Sequence, residues 1–393
     1  MELTKIYSFH LPTRMVYGIG AANRVGEIVR ELEGQKVFIV TDGGVVRAGL
    51  LDRIMPQLEA EGLTVEVYEK DEGEPTDAQV HQGAEKLKES GANVVLGFGG
   101  GGSMDAAKGI KVMATNPGSI LDYEGFGKVK GSDIRLVAIP TTAGTGSEAG
   151  PGAVIIDSER KRKIGVISPH ISPDVSIVDP LLTLTVPPKL TAYTGLDALA
   201  QSIGAYLVNT GQPVSDALAI YAVELIAGNL GRAVAKGDDL QARTNMAYGS
   251  MIGAIGMHRA GCTGEHYLAE TVGAYYGLPH GLTVAVFLPY IMGFNRPAAP
   301  ERFVRLARAM GERTEGLSLR DASRKAVTAV VNLLQDLEIP SLKELGVREK
   351  DLEQLTDKNM SHWCVVNGVN PRPLTRDAIL DLYRRTYHGD LFD

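Results

Sequence analysis

Cysteine is scarce in this chain: Cys262 and Cys364 are the only two among 393 residues. Two thiols give no disulfide framework. That usage fits a reducing compartment, so a cytoplasmic location is expected. Basic surplus is missing as well. Forty Lys and Arg stand against 47 Asp and Glu, for a formal net charge of −7, with no basic stripe. Nucleic acid is therefore not an expected partner. No apolar run reaches the ~18 residues of a membrane span. Met1–His10 lacks the charged-then-apolar order of a secretory signal, so neither membrane nor export is expected. There is no internal repeat, no low-complexity tract and no G-X-Y period.

Glycine, by contrast, is abundant at 46 residues. It signals tight turns and close backbone approaches, as in α/β proteins that bind nucleotides. The length exceeds what one core usually organises, so two domains are expected. In the first half, strand-like and helix-like segments alternate. Lys36–Thr41, Thr64–Tyr68, Asn93–Gly97, Ile134–Ile139, Ala153–Ile156 and Val175–Val178 read as strands. Leu50–Ala60, Thr76–Ser90 and Met104–Ala114 read as helices. That alternation predicts a parallel sheet with helices on both faces. After Pro187-Pro188 nearly everything has helical period, as in the stripe Leu196, Leu199, Ile203, Leu207. Ser318–Asp321 has the spacing of a capping box, and Gly249, Gly253 and Gly256 suggest close helix packing. The expected fold is an α/β dinucleotide-binding domain over residues 1–185 and an all-α domain over residues 186–393.

Three segments carry chemistry. Gly97-Phe-Gly99-Gly100-Gly101-Gly102-Ser103 follows a strand and precedes a helix, a context in which backbone N–H groups can cradle a pyrophosphate. Asp42, ending an early strand, can bind a ribose 2′-hydroxyl and repel a 2′-phosphate; a helix N-cap is the alternative. Thr141, Thr142 and Thr145, in the loop Thr141–Glu148, suit a second cofactor-binding loop or a merely solvated one. In the second half, His266, His280 and Asp197 have metal-ligand chemistry, with Gln201 on the same helical face as Asp197.

Read together, these segments resemble the iron-containing (group III) alcohol dehydrogenases. The resemblance rests on Gly99–Lys108, Pro140–Glu148, Thr194–Leu199, Gly277–Gly281 and Asn370–Leu374, in order along nearly the whole chain. It implies a dehydroquinate synthase-like architecture with the site in the cleft between two domains. It also implies NAD-linked interconversion of an alcohol and its aldehyde or ketone, a divalent metal (iron or zinc) and a homodimer. By position, Asp42 is similar to the family's cofactor-selecting acid and Lys163 to its cofactor-contacting lysine. Asp197, His266 and His280 match three of its four metal ligands.

The departures are specific. Gln201 stands where the family has its remaining ligand histidine, and an amide oxygen is the weaker donor, especially for zinc. Glu270 replaces a histidine beside the nicotinamide; it can enter the metal shell or move a proton. Met257-His258-Arg259 replaces an aromatic-plus-amide pattern near the substrate pocket. A guanidinium there would suit an anionic substrate tail, unless Arg259 points outward. Alternatives at this point are a metal-free reductase, a lyase or synthase of the same architecture, and a non-catalytic NAD-binding protein.

Overall fold

A computed structural model describes residues 6–361 and 366–392. Met1–Lys5 and Cys364 lie outside them, so the readings made there stay at the sequence. The chain forms two compact units. One is His10–Val186; the other is Pro187 onward, together with the stretch up to Phe9.

The first unit is built on nine strands: β1 (Arg14–Tyr17), β2 (Lys36–Asp42), β3 (Thr64–Lys70), β4 (Val94–Gly99), β5 (Gly125–Phe126), β6 (Arg135–Pro140), β7 (Gly152–Asp157), β8 (Arg162–Ile167) and β9 (Val175–Val178). Six of them form an all-parallel sheet in the order β1-β9-β6-β4-β2-β3. Successive residues of β2 feed opposite cores. Val37 and Ile39 pack with Ile28, Ile54 and Leu58 on one face; Phe38 and Val40 pack with Leu87 and Ile110 on the other. A strand buried on both faces has to be apolar throughout, which is why it reads as a run rather than an alternation. The helices α1 (Asp77–Ser90) and α2 (Gly101–Thr115) cover the second face. Thr76 starts α1 with a full capping box shared with Gln79.

Ala153–Ile156 departs from expectation. It is a strand, but it lies outside the parallel sheet. As β7 it pairs antiparallel with β8 in a second sheet ordered β5-β8-β7. Its burial alternates, with Ala153 and Ile155 packed beside Val80 and Val112. One wet face is what an antiparallel pair tolerates and a central parallel strand does not.

The parallel sheet has a switch point. The chain runs from β2 outward to β3, then returns to place β4 on the other side of β2. Ligands of open α/β sheets bind beyond the strand C-termini at such a reversal. The residues there are Asp42, ending β2, and Gly99, ending β4.

The second unit is helical among its described residues. Pro188 opens α3 (Pro188–Leu207) at the first helical position, where its missing N–H costs nothing. Then come α4 (Leu240–Ala260), α5 (Gly264–Tyr276) and α6 (His280–Asn295). α3 and α6 are buried nearly all round, as central helices are. Gly253 lets α4 close on Ser202 of α3. At Ser318 the hydroxyl accepts the Asp321 N–H, while the Asp321 carboxylate turns to that hydroxyl instead of the backbone, so half of the capping box forms. No described helix is long and apolar enough to cross a membrane.

Candidate active site

At the end of the parallel sheet three loops are tied together. Gly99 has φ +149°, a conformation that side chains rarely adopt, so β4 leaves the sheet only through a glycine. At Gly102 a Cβ would fall 2.1 Å from the carbonyl oxygen of Gly73, so backbone meets backbone there. α2 starts at Gly101 after Gly100, and a helix start presents backbone N–H groups and partial positive charge to an anion. The Thr141 N–H donates to Gly99 O at 2.9 Å, and Thr145 packs against Gly101. Thr142 and Thr145 are half-buried beside them, while Thr141 is buried.

Asp42 holds the third loop. Its Oδ1 accepts the N–H groups of Gly44 and Val45 at 3.0 and 3.2 Å, making it the N-cap of the helix Gly43–Arg47. Its Oδ2 accepts the Ser103 hydroxyl at 2.7 Å, and Ser103 is fully buried. Asp42 therefore caps a helix and also faces the glycine loop. Lys163 bonds Glu74 at 2.6 Å, and the Glu74 backbone borders Gly102.

Two residues that sequence reasoning gave no role hold the threonine loop in place. Lys108, inside α2, donates to Ser147 O, Ser147 Oγ, Gly150 O and Gly152 O at 2.6–3.0 Å. Asp105 accepts the Ser147 hydroxyl at 2.6 Å and the Val154 N–H at 2.9 Å. Burial pushes Lys108 down to about 8 and the neighbouring Glu148 up to about 7. The signal was available: an acid and a lysine three apart in a largely buried helix of small and apolar residues need buried partners.

In the helical unit, Asp197, His266 and His280 come together. One ligand atom from each lies within 4.8 Å of the others. His266 Nε2 is 3.4 Å from Asp197 Oδ1, and His280 Nε2 is 3.7 Å from the same oxygen. Three helices supply them: Asp197 is in α3, His266 in the first turn of α5, and His280 opens α6. The close approach of α6 to α3 depends on Gly281, where a Cβ would lie 2.3 Å from Tyr193 O. Gln201, one turn beyond Asp197, donates its amide to Asp197 Oδ2 at 3.0 Å and leaves Oε1 buried without a partner. His266 Nε2 is likewise buried with no hydrogen bond.

Such orphaned donor atoms beside a buried carboxylate fit a cation. The field agrees. Burial opposes charge on His266, but the nearby carboxylates of Asp197 and Glu265 outweigh it and raise the imidazole to about 10. Positive charge is favoured at that point.

Glu270 is not one of the three. It is exposed on α5 and lies outside the cluster. The carboxylate that reaches His266 belongs to Glu265, which the sequence reading missed: its Oε1 is 3.0 Å from His266 Nδ1. Arg259 is exposed at the end of α4 with its guanidinium over the Phe9 ring, 5.9 Å from the centroid.

Comparison with known proteins covers both units. The family profile "Iron-containing alcohol dehydrogenase" matches residues 12–180, and "Fe-containing alcohol dehydrogenase family, C-terminal" matches residues 191–387. The chain is 38% identical to NAD-dependent methanol dehydrogenase of Bacillus methanolicus, covering 96% of this chain and 99% of that one. It is 37% identical to choline dehydrogenase of Bacillus subtilis, with 98% and 96% covered. A crystal structure of 1,3-propanediol oxidoreductase superposes with TM-score 0.94 at 35% identity, covering 98% and 100%.

Proposed function

The chain belongs to the iron-containing alcohol dehydrogenase family, and from that membership we propose that it interconverts a small alcohol and its aldehyde or ketone, using NAD(H) and a divalent cation held by Asp197, His266, His280 and Gln201. The observation that carries the reading is the convergence of Asp197, His266 and His280 from three helices, with orphaned donor atoms on His266 and Gln201. When bound, the nicotinamide exchanges a hydride with the substrate carbon and the cation polarises the substrate oxygen as a Lewis acid.

The chain's own residues bind and orient. Gly99–Ser103 and the start of α2 take the pyrophosphate, Asp42 takes the adenosine ribose, and Thr141, Thr142 and Thr145 line the cofactor from the next loop. Lys163, held by Glu74, contributes a cation at that edge. Gln201 fixes Asp197 through Oδ2, so that Oδ1 faces the imidazoles. Two imidazoles with a carboxylate and an amide oxygen make a mixed set that accepts Fe(II) or Zn(II). Exposure of Glu270 supports proton exchange with water rather than ligation.

The relatives' names span cationic choline, neutral methanol and anionic sulfoacetaldehyde, so the choice rests on Arg259, which is exposed and lies against Phe9: a neutral small alcohol is the reading we adopt over an anionic one. A homodimer is included on family resemblance alone and is checked by light scattering.

The test pairs two measurements: metal content of the purified protein by mass spectrometry, and NADH oxidation over an aldehyde panel. His280→Ala should lose metal and turnover together. Full turnover by protein stripped of metal would overturn the metal part, and failure of every aldehyde or ketone in the panel to support NADH oxidation would overturn the reaction.

A further inference from the structure

Glu265 is a carboxylate with no exposed surface, in the first turn of α5. Its Oε2 accepts the Thr263 hydroxyl at 2.6 Å and its Oε1 meets His266 Nδ1 at 3.0 Å. Gly204 of α3 makes room for it: a Cβ there would stand 3.2 Å from Glu265 Oε1 and 2.9 Å from the Thr263 nitrogen. So the helix that carries Asp197 and Gln201 also shapes the seat of Glu265.

The Thr263 hydroxyl donates to Oε2, and Oε1 stands at hydrogen-bond distance to accept an Nδ1–H of His266, the arrangement that orients a ligating histidine. The neutral imidazole then has its lone pair on Nε2, the atom that is buried without a hydrogen bond and lies 3.4 Å from Asp197 Oδ1. Charge points the same way. A divalent ion on Asp197, one amide and two imidazoles leaves a net +1 in a site where Asp197, Gln201 and His266 are all buried. An uncompensated buried charge is costly. Glu265 places a carboxyl group one hydrogen bond beyond the imidazole, where it can offset that charge.

We propose that Glu265 is a positioning residue of the metal centre: it fixes the Nδ1–H tautomer and rotation of His266 and supplies the charge that balances a centre with Gln201 as its amide member. The proposal rests on reading Asp197, His266 and His280 as ligands. Partners of this kind behind a ligating histidine typically change metal affinity about 10–100-fold.

The experiment measures Co²⁺ affinity at one fixed pH, by competition with a chromophoric chelator, and records the visible Co²⁺ spectrum. Glu265→Ala should bind about 10–100-fold more weakly. Glu265→Gln keeps size and an acceptor but not charge, so it should fall in between and show a shifted spectrum. Gln201→His added to Glu265→Ala should recover part of the loss. Far-UV circular dichroism and a cooperative melting transition, read in every variant, report that the helical unit carrying Glu265 is folded; should the alanine variant fail to fold, the isosteric glutamine variant decides. Glu265→Gln with wild-type affinity and spectrum, while His280→Ala has lost Co²⁺, would overturn the role of Glu265 and leave the ligand reading standing. Wild-type affinity in His280→Ala would overturn the ligand reading and this proposal with it.

Discussion

Asp42 carries a fixed negative charge at the point where the sheet reverses. Its two oxygens are occupied by Gly44, Val45 and Ser103, and Glu69 and Glu72 approach the adjoining Gly43, with the Arg47 cation beside them. A 2′-phosphate brought there meets like charge, worth ~4 kcal/mol per unit pair at ~4 Å and an effective dielectric of ~20, before screening. NADH should therefore be preferred over NADPH. Asp42→Asn keeps an N-cap but drops the charge. The ratio of kcat/KM for the two cofactors should then fall at least about tenfold, which is about 1.4 kcal/mol. A wild type indifferent to the phosphate, or an unchanged ratio in the variant, would remove Asp42 from this role. Asp42 and the glycine loop were legible because strand ends and glycines mark themselves in sequence. Glu265 was not. Neighbours on a helix point about 100° apart, so Glu270, one turn from His266, looked the better companion. The first turn of α5 instead brings Glu265 and His266 into contact, against a glycine on another helix. Hence Glu270→Gln should keep its metal content within about twofold of wild type, while His280→Ala loses it; parallel loss in both, by elemental analysis, would return Glu270 to the ligand set.

At the scale of elements, the convergence of His280 on Asp197, the proposed ligand pair, depends on how closely α6 lies on α3. Gly281 meets backbone, not a side chain that could swing away, so a methyl group there forces the two helices apart. Gly281→Ala should lower stability by about 1–3 kcal/mol, the usual range for overpacking. It should also abolish the rise in melting temperature that added metal gives the wild type. A variant that melts lower yet keeps the full metal shift would show that His280 does not depend on this contact. The threonine loop offers a pH test. Burial raises Glu148 from 4.5 to about 7. Between those values the folded protein holds a proton that the unfolded chain has released. The stabilisation is fully present below about 4.5 and is lost as pH rises through about 7, spanning up to about 3 kcal/mol. Urea unfolding near pH 5 and near pH 7.5 should show a fall in wild type that is much smaller in Glu148→Gln; equal falls would place the titration elsewhere. Elements were the most legible level of the sequence, since period and glycine punctuation fix them locally. Ala153–Ile156 was legible as a strand but not in its sheet, because the antiparallel partner β8, across a short turn, is not written in its own period, and β1 and β8 themselves were not read.

The whole molecule separates two tasks. Everything inferred to hold the dinucleotide belongs to His10–Val186, from Asp42 and Gly99–Ser103 to the anchors Asp105 and Lys108. Everything inferred to hold the cation belongs to the helical unit, from Asp197 and Gln201 to His266 and His280. No residue serves both, and each unit has its own buried core. A group that binds only the folded state stabilises it by mass action, ~2.7 kcal/mol at a hundredfold excess over its dissociation constant. Removing the cation withdraws that term from the helical unit and leaves the cradle's hydrogen bonds intact. Chelation should then abolish turnover and lower the melting temperature, while the NADH dissociation constant, read by fluorescence, stays within about threefold, under 1 kcal/mol. Returning Fe(II) or Zn(II) should restore turnover without tightening NADH. If NADH binding instead collapses with the metal, the two ligands are coupled, and the coupling energy measured from either side must be equal. That outcome would mean the cradle residues alone do not hold the cofactor, and the division of labour read from the two sets of side chains would be wrong.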